Sequence, residues 1–295
     1  MADPQAPLRD FEPAHDFIVA IDSDGCAFNT MEVKHKACFY PMVVRHWGLA
    51  GIAKQTRDVW DFVNLYSTTR GCNRFHALIH TLDFVREMES VRESEVEVPQ
   101  AAGVREWKER ETKLGNPALK AEVGKNPDPD LKRALGWSLD INKQVEKTVK
   151  NVPPFPLVRD SLEKITPRAD AIVVSATPNE ALKREWEEHD IAQYVEVIAG
   201  QERGSKAEHL SLAAEPNYPS DHILMVGDSP GDMKSAKSVD ALFFPIFPGE
   251  EEHSWEIFYN EALDKFFAGE YAGSYEQELI DEYNQHLPET PPWKE

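Results

Sequence analysis

Short apolar runs alternate with helical segments throughout the second half of this chain. The apolar runs have strand length and show no polar alternation, which is typical of strands buried on both faces of a parallel sheet. Connections of a few residues between strands and helices imply right-handed crossovers, with helices on both faces. The predicted strands are residues 171–174, 194–198, 222–226 and 241–246, and the predicted helices are residues 157–165, 179–189, 205–214 and 231–238.

A further apolar run, residues 17–21, predicts one more strand of the same sheet, although about 130 residues separate it from the other strands in sequence. The intervening residues 31–150 show helical spacing and almost no strand pattern. We therefore predict an α/β fold: a doubly wound parallel-sheet (Rossmann-like) core formed by residues 1–30 and 152–295, with an inserted all-helical domain at residues 31–151. Helices are predicted at residues 31–49, 52–66, around 75–84, 101–114 and 130–150, with a charged link at residues 91–99.

Charge and composition exclude several classes of protein. A formal net charge of −20 argues against a nucleic-acid partner, because phosphate backbones are bound by basic surfaces. Neither a run of eighteen apolar residues nor a signal-like N-terminus is present, so no membrane partner is expected. The three cysteines, Cys26, Cys38 and Cys72, lack the spacing of a zinc site or a disulfide framework. We predict a soluble protein of the cytoplasm.

Two carboxylates, Asp22 and Asp24, follow the first predicted strand, on a turn loosened by Gly25. Side chains two apart on a strand point to the same side, where two carboxylates repel each other unless a cation or a shared proton separates them. The pattern favours a metal-dependent acid/base site. A solvated turn at the end of a strand is the alternative.

Three further loops supply matching groups, because the carboxyl ends of parallel strands meet at one edge of the sheet. Ser175 ends a strand before a helix, where a hydroxyl and backbone N–H groups suit a phosphoryl oxygen, although it is also a typical helix cap. Lys206 begins a helix and is either a neutralising cation or simply solvated. Asp228 and Asp232 follow another strand. The alternative for Asp232 is that it only complements the dipole of the next helix.

In order, spacing and strand context, these residues resemble all four motifs of the haloacid dehalogenase superfamily. The first motif of that family is an apolar strand followed by Asp-x-Asp-Gly-Thr/Val, and the stretch 17–30 matches it closely. Cys26 replaces the usual Thr or Val, and Asn29 stands where many members carry Asp. The resemblance covers residues 15–30 and about 152–247, and it implies that the inserted helices are a cap domain between the first and second motifs.

The resemblance also implies a role for each motif residue. Asp22 would attack a phosphoryl group, and Asp24 would protonate the leaving oxygen and then activate water. Ser175 and Lys206 would bind the transferring phosphoryl group. The implied cofactor is Mg²⁺, held by Asp22, the Asp24 carbonyl and Asp228, with Asp232 as a ligand or as support.

We therefore predict a Mg²⁺-dependent phosphatase acting on a small phosphorylated metabolite. A phosphomutase of the β-phosphoglucomutase type shares the same machinery and is the main alternative. Dehalogenases of the family lack an acid at the position of Asp24, and phosphonate-cleaving members typically have a small residue there, so both are disfavoured. A non-catalytic binding protein on the same fold would be expected to have at least one damaged motif.

Two further predictions concern binding. A polar connection in the inserted domain carries Arg70, Asn73 and Arg74, which we assign to substrate binding, with ordinary surface or intradomain ion pairs as the alternative. The C-terminal tail has an apolar stripe at helical spacing that predicts docking onto the core, and the tail could also mediate oligomerisation. The stripe consists of Trp255, Phe258, Tyr259, Ala262, Leu263, Phe266 and Phe267.

Overall fold

The computed structural model describes residues 3–294, which form two compact units. The core unit contains residues 3–31 and 151–287, and the helical unit contains residues 32–150 and 288–294. These bounds differ from the predicted domains chiefly at the C-terminus. Residues 288–294 group with the helical unit and do not extend the core as the sequence had suggested.

The core unit is built on a five-stranded parallel sheet with the strand order β3-β2-β1-β4-β5. This arrangement confirms the predicted α/β class and places the first strand of the chain at the centre. The third strand is shorter than predicted, because residues Ala192–Tyr194 form a 3-10 turn. The strands are β1 (Ile18–Ile21), β2 (Asp170–Val174), β3 (Val197–Ala199), β4 (Ile223–Gly227) and β5 (Leu242–Pro245).

Alternate residues of each strand enter two separate apolar clusters, one on each face of the sheet. On β1, for example, Val19 and Ile21 belong to one cluster, whereas Ile18 and Ala20 belong to the other. All four are fully buried, which explains why the strand reads as a continuous apolar run. The helices of the core unit are Ala6–Arg9, Val158–Ile165, Asn179–Glu188, Lys206–Ala213, Pro230–Lys237, Glu251–Ile257, Leu263–Ala268 and Ser274–Gln285.

Residues 251–287 form an appended segment, which we call the C-terminal extension. Its side chains Trp255, Phe258, Leu263 and Phe266 are 0–1% exposed and lie in the apolar cluster that contains Val19 and Ile21. The predicted docking of this stripe onto the core is confirmed. Because these aromatic side chains point into their own chain, oligomerisation through the tail stays a prediction.

The helical unit contains no strand among its described residues. Its interior is aromatic, with Phe75 packing edge-on against Trp107 and Trp137 at ring distances of 5.0 and 6.0 Å. The sequence predicted no helix between the helices at 101–114 and 130–150, with turns at residues 115–117 and 124–129. The structure has the helix Asn116–Lys125 there, with Pro117 in its first turn. Proline is favourable there, because the first N–H groups of a helix have no intrahelical partner. The α-helices are Thr30–Val33, whose last two residues belong to this unit, Tyr40–Trp47, Ala53–Leu65, Arg74–Glu87, Glu89–Arg92, Ala102–Arg110, Asn116–Lys125 and Pro129–Thr148.

The last described residues pack onto this unit. The ring of Trp293 lies 5.4 Å from that of Phe62 and 6.2 Å from that of Phe84, edge-on in both cases. Lys294 pairs with Glu87 at 2.6 Å. Across residues 3–294, no helix has both the length and the apolar character needed to cross a membrane.

Candidate active site

The loop after β1, residues 22–28, is the first acid loop. The N–H of Asp22 donates to the carbonyl of Val226 at 3.0 Å, which extends the pairing of β1 with β4. The chain then turns back on itself, with Phe28 N–H donating to the Ser23 carbonyl at 3.0 Å. Gly25 has a φ of +78°, a conformation that favours glycine. This local geometry holds both carboxylates at the end of the central strand.

Asp24 is fixed by two hydroxyl groups. Thr30 donates to one carboxylate oxygen of Asp24, and Thr177 donates to the other at 2.5 Å. Hydrogen bonds to the ionised form stabilise a carboxylate and orient it. Neither threonine was among the predicted site residues, although each lies within a motif stretch: Thr177 is two residues after Ser175, and Thr30 is six after Asp24.

The loop after β4, residues 227–232, is the second acid loop. Asp232 lies in the first turn of helix Pro230–Lys237, where it forms a capping box with Ser229. One oxygen of Asp232 accepts the N–H groups of Asp228 and Ser229 at 3.2 and 3.0 Å. A Cβ on Gly227 would lie 2.4 Å from the Cβ of Asp232, so only glycine fits there. Asp232 therefore organises the loop that presents Asp228.

Lys206 joins the two loops. It is the first residue of helix Lys206–Ala213, as predicted, and its side chain is only 15% exposed. Its ammonium group lies 2.7 Å from Asp22 Oδ2 and also contacts Asp232 Oδ1. The ammonium group thus bridges carboxylates from the segments that follow two neighbouring strands, β1 and β4.

The carboxylates of Asp22, Asp228 and Asp232 form one buried cluster. One oxygen from each lies within 4.8 Å of the others, and the residues are 4%, 1% and 0% exposed. Three carboxylates against the single charge of Lys206 leave an excess of about two negative charges in a buried space, which is costly. An all-oxygen donor set with this excess charge fits a hard divalent cation such as Mg²⁺.

The same crowding shifts the pKa values of Asp22 and Lys206. Burial raises the pKa of Asp22 well above its usual value; Lys206 opposes the shift, while Asp232 and Asp228 add to it. Burial alone would lower the pKa of Lys206, but the nearby carboxylates of Asp22, Asp232 and Asp228 raise it above its ordinary value. Lys206 is therefore a permanent cation, whereas the charged form of Asp22 needs further positive charge nearby.

Ser175 directly follows β2 and is 2% exposed. Its hydroxyl accepts the N–H of Thr177 at 3.2 Å, and its own N–H donates to the Ala199 carbonyl at 2.9 Å. The alternative interpretation of Ser175 as a helix cap is wrong, because helix Asn179–Glu188 has Pro178 at that position.

The three predicted substrate-binding residues lie in the helical unit and make contacts within it. Arg70 is 3% exposed and donates to the Leu65 carbonyl at 2.7 Å. Asn73 caps helix Arg74–Glu87 and donates to the Leu114 carbonyl at 3.1 Å. These contacts match the alternative of an intradomain role, and substrate binding by either residue stays a prediction.

Arg74 is engaged in the same way. Its guanidinium donates to Ser138 Oγ at 3.0 Å and to Asn142 Oδ1 at 2.8 Å, and it lies 5.1 Å above the ring of Phe39. Burial lowers the pKa of Arg74 to about 10. These contacts give the guanidinium a structural role within its own unit, and its assignment to substrate also stays a prediction.

Ser23, between the two acids, was not identified from the sequence. Its hydroxyl donates to Glu185 at 3.1 Å and accepts from the indole N–H of Trp186, also at 3.1 Å. The ring of Trp186 also packs edge-on against Phe28 at 5.8 Å. Helix Asn179–Glu188 therefore supports the first acid loop, through pairs too distant in sequence to leave a local pattern.

One family model matches this chain, that of haloacid dehalogenase-like hydrolases, over residues 108–244. The matched range contains Ser175, Lys206, Asp228 and Asp232, and the first acid loop lies outside it. No curated protein matches the chain significantly.

Several solved structures are similar to the chain. A haloacid dehalogenase-superfamily hydrolase of subfamily IA from Geobacter sulfurreducens is 16% identical, with 80% of this chain and 88% of that chain covered and a TM-score of 0.40. A haloacid dehalogenase-like hydrolase from Bacteroides fragilis is 13% identical, with 81% and 92% covered and a TM-score of 0.49. Both structural likenesses are weak, and the family-model match is the stronger of the two findings. Over residues 108–244, the chain is therefore similar to the haloacid dehalogenase-like hydrolases.

Proposed function

We propose that this chain is a Mg²⁺-dependent phosphatase that hydrolyses a small phosphorylated metabolite through an aspartyl-phosphate. The observation that carries the proposal is the buried contact of Lys206 with Asp22, beside Asp228 and Asp232. A phosphate monoester is anionic and is repelled by carboxylates unless cations offset their charge. A fixed ammonium group beside the nucleophile supports this chemistry and also stabilises the charge of the transition state.

Asp22 is the proposed nucleophile. Its Oδ1 accepts the N–H of Ser23 and its Oδ2 contacts Lys206, both at 2.7 Å, so the carboxylate is held in one orientation. Attack on phosphorus forms the bond to Asp22 and breaks the bond to the ester oxygen. The Lys206 ammonium and the Ser175 hydroxyl bind oxygens of the transferring group.

Asp24 is the proposed general acid and base. It protonates the ester oxygen as that oxygen leaves, and it then takes a proton from the water that attacks the aspartyl-phosphate. Inorganic phosphate and free Asp22 are the products. The hydroxyls of Thr30 and Thr177 support this role because they fix the Asp24 carboxylate. An acid here also argues against a dehalogenase or a phosphonatase.

Mg²⁺ would be held by the carboxylates of Asp22 and Asp228 and by the backbone carbonyl of Asp24. Asp232 would be a further ligand or would support the second acid loop. When bound, the ion offsets the negative charge of the site and of the phosphoryl group.

The free thiols of the chain support a reducing, cytoplasmic location.

The test is release of inorganic phosphate from a panel of phosphorylated metabolites, with Mg²⁺ or with EDTA. We expect turnover only with Mg²⁺, and a fall of about 10⁴-fold or more for Asp22→Asn. Asp221→Asn, at an exposed position of the core unit, is the control and should keep full activity.

Unchanged activity in Asp22→Asn would overturn the proposal. A requirement for a bisphosphate activator, with little release of phosphate, would identify a phosphomutase instead. Binding of phosphorylated compounds without turnover by the unmodified protein would identify a binding protein.

A further inference from the structure

The C-terminal extension donates hydrogen bonds to both acid loops. The indole N–H of Trp255 donates to the carbonyl of Cys26 at 2.9 Å, in the first acid loop. The hydroxyl of Tyr283 donates to the carbonyl of Asp228 at 3.1 Å, in the second. Both aromatic side chains are 0% exposed. One appended segment therefore contacts the backbone at the ends of the two neighbouring strands β1 and β4.

Trp255 contacts the first acid loop at Cys26, two residues after Asp24. Within that loop, Cys26 N–H donates to the Ser23 carbonyl at 3.4 Å, and the Cys26 thiol contacts the Val226 carbonyl at 3.6 Å. The indole provides a donor to the Cys26 carbonyl, which is buried away from water. Loss of this donor would leave a buried carbonyl without its hydrogen bond, and the loop would be expected to shift to recover one.

Tyr283 completes the restraint of Asp228. The N–H of Asp228 donates to Asp232 at 3.2 Å, and the carbonyl of Asp228 accepts from Tyr283. Both backbone groups of Asp228 are thus held by side chains, one from its own loop and one from the C-terminal extension. The orientation of its carboxylate then depends on side-chain rotation alone, which is the kind of preorganisation that a metal site needs.

We propose that Trp255 and Tyr283 are positioning residues for the two acid loops, so that the extension is part of the machinery that orients the metal-binding carboxylates. This inference rests on the proposed function, since it assigns the two aromatic residues to the same site. Tyr283 fixes the backbone position of Asp228, and Trp255 fixes the turn that carries Asp22 and Asp24.

The extension contains a matched control. Tyr271 is 1% exposed, and its hydroxyl donates to the carbonyl of Phe243 at 2.8 Å. Phe243 lies within β5 and not in an acid loop. Tyr271→Phe and Tyr283→Phe therefore remove the same group from buried sites in one segment. Only Tyr283 contacts the backbone of a residue in the carboxylate cluster.

The experiment measures Mg²⁺ binding by isothermal titration calorimetry on the full chain, together with thermal unfolding and steady-state kinetics. We expect Tyr283→Phe to weaken Mg²⁺ binding by about 10- to 100-fold, the range typical of groups that orient metal ligands. Tyr271→Phe should lose a similar amount of thermal stability and bind Mg²⁺ as the unmodified protein does. If Tyr283 had a purely structural role, the two substitutions would change Mg²⁺ affinity and thermal stability to the same extent.

Trp255→Phe is a second, independent variant. We expect its kcat to fall by roughly 10- to 100-fold with little change in KM, because a small displacement of the nucleophile affects the chemical step most. Trp107→Phe in the helical unit is its control. The Trp107 indole is buried and makes no hydrogen bond within the described residues, so this substitution removes the same side-chain volume without removing a hydrogen bond.

Equal Mg²⁺ affinity in Tyr283→Phe and the unmodified protein, with phosphatase activity present, would overturn this inference and leave the proposed function standing. If the unmodified protein neither binds Mg²⁺ nor releases phosphate, the proposed function fails and this inference fails with it.

Discussion

At the scale of single residues, the carboxylates of the site differ in what they bind, although all are aspartates. Asp24 accepts two hydroxyl groups, whereas Asp22 contacts an ammonium group, and Asp232 binds backbone N–H groups and Lys206. These partners separate the proposed roles of proton transfer, attack and loop support. The roles can therefore be tested by separate substitutions.

Replacement of Asp24 should separate the chemical steps. We expect Asp24→Asn to reduce steady-state turnover by about 10²- to 10⁴-fold, because the amide neither gives nor takes the proton. With an activated aryl phosphate, whose leaving group needs no proton, the variant should accumulate phosphorylated Asp22. Acid quenching followed by intact-mass measurement checks this, and absence of the phosphorylated form would contradict the role of Asp24 in the second step.

His209 gives the fold an acid sensitivity. It is 0% exposed and lies on helix Lys206–Ala213. Burial lowers its pKa from 6.5 to about 4. The unfolded chain thus binds a proton at a pH where the folded chain does not, so stability falls as the pH drops from about 6.5 towards 4.

At about pH 5 this effect corresponds to a loss of roughly 2 kcal/mol. We expect urea unfolding of His209→Leu to show a shallower pH dependence than that of the unmodified protein in this range. His253→Leu, at an exposed position, is the control. Identical pH profiles for His209→Leu and the unmodified protein would contradict the prediction.

At the scale of elements, two charged residues of the candidate site, Lys206 and Asp232, lie in the first turns of helices. Lys206 occupies the first position of its helix, just after the capping residue Ser205. The Ser205 hydroxyl accepts the N–H of Glu208 at 3.3 Å, and the Glu208 carboxylate accepts the N–H of Ser205 at 2.7 Å. This capping box fixes the first turn, and with it the backbone that carries the lysine.

Removal of the cap should therefore affect both stability and activity. We expect Ser205→Ala to lower the free energy of unfolding by about 1 kcal/mol and to reduce kcat/KM, because the turn that carries Lys206 frays. Ser211→Ala, on the exposed side of the same helix, is the control. Denaturant unfolding and steady-state kinetics measure the two effects, and a stable, fully active Ser205→Ala would contradict the argument.

At the scale of the whole molecule, the chain passes from one unit to the other three times, near residues 31, 150 and 287. The last passage takes residues 288–294 onto the helical unit, where Trp293 packs against Phe62 and Phe84. The tail therefore has a packing role beyond the extension that precedes it.

Loss of this contact should destabilise the helical unit. We expect Trp293→Ala to reduce the free energy of unfolding by about 1–3 kcal/mol, because the buried area of the indole is lost and apolar area on the rings of Phe62 and Phe84 becomes exposed. Glu289→Ala, at an exposed position of the same tail, should change it little. Urea denaturation followed by circular dichroism provides the measurement, and equal stability of the two variants would count against the contact.

The sequence by itself determined the parallel sheet and the helical insertion, and it singled out the candidate site residues that the fold brings together. These features are local: apolar runs read as buried strands, and a carboxylate, hydroxyl or ammonium at a strand end or helix start must face the same edge of the sheet. Only the tertiary structure decided which side chains form hydrogen bonds with the two acid loops. The pairs Thr177–Asp24, Trp255–Cys26 and Tyr283–Asp228 join residues 153, 229 and 55 positions apart, and such pairs leave no periodic signal in a single sequence. For the same reason, the sequence did not predict the contacts of Arg74 with Ser138 and Asn142, 64 and 68 positions away.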